Sequence, residues 1–140
     1  MARRDRTRPR HGRLTVRVLF DTHALLRALH QPTALSRTAQ EVIGSAENLV
    51  CVSLVPLWEC AIKSSIGKLD LPADFFEAIP KAGYGVLQIE SPHITADLGL
   101  PMHRRGPCDR LLVAQAQTSG LVLGTRDPQI AKYDVRTLLA

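Results

Sequence analysis

Val16-Arg17-Val18-Leu19-Phe20-Asp21-Thr22-His23-Ala24-Leu25-Leu26-Arg27-Ala28-Leu29-His30 decides the architecture. The run Val16 to Phe20 is short, β-branched and aromatic, and it ends at an acid. Beyond Asp21, the residues Ala24, Leu25, Leu26, Ala28 and Leu29 fall at helical spacing. A strand followed at once by a helix opens a βα unit, and the pattern repeats downstream. Ser36 caps a helix through Glu41 to Ala46, and Asn48 turns into a strand from Leu49 to Val52. Ser53 caps the next helix, Leu54 to Ser65, with Pro56 tolerated in its first turn and Gly67 at its end. Pro72 opens a helical segment through Phe75, Phe76 and Ile79 that Pro80 and Gly83 must end, and Val86 to Ile89 reads as a third strand. Ser91 to Leu98 is a short helix, and residues 99 to 106 form a polar, basic loop. Pro107 opens a helix through Leu111, Leu112 and Ala116 to Gly120, ahead of a fourth strand at Leu121 to Leu123; Tyr133 to Leu139 reads as a last strand with a frayed end. Strands alternating with helices over short links predict an α/β sandwich around a mainly parallel sheet. In such sheets ligands bind beyond the carboxyl ends of the strands, where the strand order switches. The informative positions are therefore Asp21, Ser53, Thr125 and Asp127.

With 140 residues, 45% of them hydrophobic and 22% charged, the chain has the composition of one soluble domain that needs neither disulfides nor a structural metal. The net charge of +5 suggests a nucleic-acid binder until it is located. Residues 1–17 carry seven arginines against Asp5, a local +6, which leaves −1 for the remainder. We expect a basic, disordered arm at residues 1–15 and a folded domain at residues 16–140. The arm has neither the apolar stretch of a secretory signal nor the pattern of a transit peptide, so a cytoplasmic location is expected. Cys51, Cys60 and Cys108 are odd in number and without a C-x-x-C pair, which fits a reducing compartment. The apolar stretch from Leu49 to Trp58 is broken by Ser53 and Pro56 and is far shorter than the roughly 18 residues a membrane helix needs.

Four acids stand where a metal site would use them. Asp21 ends the first strand, Glu59 lies about two turns into a helix that starts at a strand end, Asp109 is in the first turn of a helix, and Asp127 follows the fourth strand. Carboxylates gathered in one place repel each other unless a cation compensates, and hard divalent ions take oxygen ligands. Magnesium or manganese is the natural partner, and such a site can activate water against a phosphodiester. Singly, each acid has a plainer reading: Asp21 and Asp109 as helix caps or first-turn acids, Asp127 before Pro128 as a turn residue, Glu59 as a solvent-facing acid.

The strings Leu19-Phe20-Asp21-Thr22-His23-Ala24-Leu25-Leu26, Val52-Ser53, Trp58-Glu59-Cys60-Ala61-Ile62-Lys63, Gly67-Lys68-Leu69, Pro107-Cys108-Asp109-Arg110-Leu111-Leu112-Val113-Ala114-Gln115-Ala116 and Thr125-Arg126-Asp127 closely resemble the PIN-domain toxins of type II VapBC toxin-antitoxin systems. The resemblance runs from Val16 to about Leu138. It implies a three-layer α/β/α fold, a magnesium-dependent ribonuclease acting on RNA, inhibition by a cognate antitoxin, and a homodimer. It puts the acidic quartet, catalytic and metal-binding, on Asp21, Glu59, Asp109 and Asp127, with Thr22, Thr125 and Ser53 as supporting polar groups.

The chain departs from its subgroup between Pro101 and Asp109, where Arg104, Gly106 and Cys108 replace a common second His, an acid and a Phe. A PIN-fold module that binds RNA or protein with little or no catalysis is therefore the alternative reading. An aspartyl-phosphate phosphotransferase would need an acid two residues after Asp21, where His23 stands. Arg104, Arg105, Arg110 and Arg126 are candidate contacts to RNA phosphates or to the antitoxin. Cys108 is expected to act as a small buried apolar residue. His93 and His103 are expected to face solvent, and Trp58, Phe75 and Phe76 to pack in the core or a dimer interface.

Overall fold

A computed structural model describes residues 15–101 and 106–140. Most of the expected basic arm, together with His103, Arg104 and Arg105, lies outside the described residues. Five strands form one parallel sheet: β1 (Arg17–Phe20), β2 (Leu49–Ser53), β3 (Gly85–Leu87), β4 (Val122–Thr125) and β5 (Thr137–Leu139), in the order β3-β2-β1-β4-β5. Six α-helices connect them among the described residues: α1 (Thr22–His30), α2 (Arg37–Gly44), α3 (Leu54–Ser65), α4 (Phe75–Lys81), α5 (Ser91–Leu98) and α6 (Pro107–Ser119).

The three layers follow from this order. The chain steps outward from β1 through β2 to β3, then returns across the sheet to β4 on the other side of β1. Right-handed crossovers put the helices of opposite steps on opposite faces. The period-2 alternation of the strands divides the core accordingly. Val18, Phe20 and Val52 pack with Ala24, Leu25, Ala39, Leu57, Phe75 and Ile79 under α1 to α4, whereas Leu19 and Leu123 pack with Leu112, Val113 and Ala116 of α6, and with Ile130 and Tyr133. In β4 the backbone passes so close to Phe20 that a Cβ on Gly124 would lie 2.5 Å from its ring, so position 124 admits no side chain.

Local chemistry places the helix ends. The side chains of Asp21, Ser36 and Ser53 accept the N–H groups of Ala24, Ala39 and Val55. The chain leaves α3 through Gly67, whose φ of +75° suits glycine, and the amides of Gly67 and Lys68 close back onto the carbonyls of Ser64 and Lys63 at 3.2 and 2.8 Å.

Several details differ from the sequence expectation. The helix α4 includes Pro80 in its last turn, β3 starts and ends earlier, and β4 runs on to Thr125, which is thus the last residue of a strand. Trp58 and Phe76 do not belong to the core: they are 67% and 45% exposed, while Phe75 is buried. His93 is buried at 2% exposure because its ring closes the start of α5, with Nδ1 accepting from the Glu90 amide at 3.0 Å and Nε2 facing the Ser119 hydroxyl at 3.4 Å. Cys108 is half-buried, its thiol held protonated by burial and by the neighbouring Glu59 and Asp109 charges.

Candidate functional site

The strand order reverses between β1 and β4, and the carboxyl ends of those two strands carry Asp21 and Thr125. The Asp21 amide donates to the Gly124 carbonyl at 3.1 Å, which fixes the two ends side by side. The Asp21 carboxylate is held at both oxygens. Its Oδ1 accepts from the Ala24 amide at 2.9 Å, and its Oδ2 accepts from the Thr125 hydroxyl at 2.5 Å. Thr125 is buried, and the same hydroxyl oxygen accepts from the Asp127 amide at 3.0 Å. Asp127 Oδ1 in turn accepts from the Gln129 amide at 2.9 Å, so the turn after β4 is fastened to the strand end. The capping role of Asp21 and a place in a site are therefore compatible: one oxygen caps the helix and the carboxylate still faces the cleft.

A cleft of about 640 Å³ opens here, lined by all four predicted acids, Asp21, Glu59, Asp109 and Asp127, and by Thr22 and His23. Glu59 reaches it because Ser53 caps α3 and sets the helix phase. Ser53 itself is fully buried and serves as that cap, not as a cleft residue. Burial stabilises the proton of the Cys60 thiol beside Thr22, and the Cys108 thiol lies near Glu59, where the α3 wall meets the start of α6.

The cleft also holds cations that the sequence reading missed. Arg27, Lys63 and Lys68 line it together with Arg126, four basic side chains in the same cleft as four acids. Lys63 Nζ lies 3.3 Å from Glu59 Oε2, an i,i+4 pair whose spacing was visible in the sequence. Arg27 donates to the Ala140 carbonyl at 3.3 Å, and its guanidinium is pushed below its usual pKa by burial and by Arg126, with Asp21 opposing. Arg126 donates to the Ala34 carbonyl. Arg110, expected at the site, is drawn away: it pairs with Asp97 at 3.5 Å and donates to the carbonyls of Asp97, Pro101 and Leu100, tying α6 to the end of α5.

Among the described residues, no group of three His, Cys, Asp or Glu side chains converges closely enough to cage a metal ion. The donor set nevertheless suits magnesium or manganese. Magnesium is commonly held by one or two carboxylates with water or phosphate oxygens completing its shell, and the cleft offers oxygen donors on facing walls with open volume between them.

Comparison with known proteins agrees with this arrangement. The PIN domain family model matches residues 18–136. Among solved structures, the chain is similar to VapBC2 from Rickettsia felis, bound to a DNA fragment from its promoter, with a TM-score of 0.63 at 12% identity over 88% of this chain and 98% of that one. It is also similar to FitAcB from Neisseria gonorrhoeae, with a TM-score of 0.60 at 18% identity over 87% and 96% of the two chains. A third likeness is to PAE2754 from Pyrobaculum aerophilum, with a TM-score of 0.52 at 20% identity over 91% and 86%. No functionally curated protein matches the sequence. Among the described residues, no helix is long and apolar enough to cross a membrane.

Proposed function

The chain belongs to the PIN domain family, and on that premise we propose that it is the toxin of a type II toxin-antitoxin pair, a magnesium-dependent ribonuclease that hydrolyses RNA phosphodiester bonds. The observation that supports this reading is the gathering of Asp21, Glu59, Asp109 and Asp127 around one cleft at the switch point of the sheet. These four would hold magnesium or manganese, which when bound lowers the pKa of a water and neutralises charge on the phosphodiester. Asp21 is the anchor of the set, because Ala24 and Thr125 fix its orientation before any ligand arrives. Thr125 and Thr22 support the acids, and the cleft cations attract and orient the polyanionic strand.

The similarity to a VapBC2 complex supports an antitoxin as partner, with a basic side chain reaching the carboxylates as a guanidinium can. A second copy of the chain would cover the exposed stripe Leu54, Trp58, Ile62 and Ile66, whose one-turn spacing runs along α3 and just past its end. Residues 1–15 should be dispensable: Val16 is anchored through its amide by Asn48 and through its carbonyl by Leu49, and a chain starting there is expected to melt and cleave as the full chain does. The deciding experiment is cleavage of defined tRNA, rRNA and mRNA substrates with magnesium and with EDTA. Metal-dependent cleavage is expected. Binding without cleavage at any metal concentration would favour the inactive binding module, toward which the replacement of an acid by Gly106 points.

A further inference from the structure

We propose that Lys63 and Lys68 form a phosphate-binding pair on the α3 wall of the cleft, engaging backbone phosphates of the RNA strand beside the acids. The proposal rests on the ribonuclease reading above. The pair is built by the end of α3: Gly67 takes a left-handed conformation, the chain reverses, and the Lys68 amide docks on the Lys63 carbonyl at 2.8 Å. Both side chains then line the same cleft as the four acids.

Of the cleft's cations these two are the available ones. Arg27 and Arg126 are committed to backbone carbonyls of Ala140 and Ala34. Lys63 has only an exposed pair with Glu59, of a kind that contributes little and exchanges readily. The Lys68 ammonium has no partner among the described residues, although its backbone is fixed. A flexible ammonium is a point charge suited to phosphate, and contacts of that kind position a strand without reading its bases. The lysine pair should therefore strengthen binding about equally for every RNA sequence.

The test uses the full chain carrying Asp21→Asn, in EDTA, with a fluorescein-labelled single-stranded RNA titrated at several salt concentrations. Each phosphate contact on a single strand contributes about 0.7 to the slope of log affinity against log salt, so Lys63→Met with Lys68→Met should lower the slope by about 1.4 and weaken binding roughly 10-fold or more at low salt. Arginine at both positions should restore the slope, and Lys81→Met, on the exposed end of α4, should change nothing. Were Lys63 only a partner for Glu59, its loss would leave the slope untouched and change the melting temperature little. An unchanged slope and affinity in the double methionine variant overturns the proposal. Cleavage of RNA by the otherwise unaltered double variant with unchanged KM also overturns it, while leaving the ribonuclease reading intact. Conversely, loss of binding to both RNA and single-stranded DNA on mutating the lysines, in a chain whose Asp21 form cleaves no RNA, keeps the lysine pair and removes the ribonuclease.

Discussion

The two walls of the cleft are held in different ways. On the β1 and β4 side, Asp21, Thr125 and Asp127 form a continuous chain of hydrogen bonds through neutral donors, closed at one end by the cap on α1 and at the other by the turn at Gln129. On the α3 and α6 side, Glu59 relies on an exposed lysine one turn away, with the half-buried Cys108 nearby. Neutral donors in the sheet fix an orientation whatever binds, because removing them leaves a polar group without a partner. An exposed ion pair fixes little, because water and salt compete for both charges. The site thus couples one preset wall to one adjustable wall, a useful division where a ligand's position must be defined while its charge is accommodated.

The strongest way to break this comparison is Asp21→Asn. The amide still caps α1 through its oxygen, but the charge is lost, and we expect RNA cleavage to fall by about 100-fold or more with the circular dichroism spectrum unchanged. Cleavage at the unaltered rate would remove Asp21 from the chemistry.

A smaller effect is expected from the metal itself. At about 100 times its dissociation constant, an ion that binds only the native state adds roughly 2.7 kcal/mol of stability. Magnesium should therefore raise the melting temperature of the full chain and not that of Asp21→Asn; equal shifts in the two would place the ion elsewhere.

Thr125→Val tests the preset wall without touching an acid. Removing the hydroxyl strands Asp21 Oδ2 and the Asp127 amide, at a cost of about 1–3 kcal/mol by chemical denaturation. A variant as stable as the parent would mean that water replaces the hydroxyl and that the wall is not preset.

Lys63→Met is the counterpart on the adjustable wall, where the groups are 51% and 38% exposed. Its stability should stay within about 0.5 kcal/mol of the parent. A loss comparable to that of Thr125→Val would erase the distinction between the walls.

The legible parts of the molecule are those set by local sequence. The βα opening, the caps at Asp21, Ser36 and Ser53, and the spans of α1, α3 and α5 follow from apolar spacing and capping chemistry within a few residues. The resemblance then gathered the four acids that line the cleft, which no single acid could have announced. Other features depended on distant contacts. Nothing near His93 signals that Glu90 and Ser119 will close around its ring. Arg110 follows Asp109 directly, yet the end of α5 presents three carbonyls that draw its guanidinium away from the cleft. Lys63 stands four residues from Glu59, a spacing legible in the sequence, whereas the place of Lys68 depends on the reversal at Gly67. Trp58 sits in an apolar string, but the phase of α3 turns it outward.

The position of β1 in the middle of the sheet has a consequence for how the cleft fails. The Asp21 amide is bonded to Gly124 between the two central strands, where opening requires the whole domain to come apart, so its hydrogen should exchange as slowly as any in the chain. The reversal at Gly67 lies at the exposed end of a helix and can open by itself, exchanging earlier than the Asp21 amide and yielding to a protease while β1 is still intact. Mild heating or denaturant would then loosen the lysine edge of the cleft while the anchoring acid stays in place, and the two events would be read as separate amide groups in one exchange experiment.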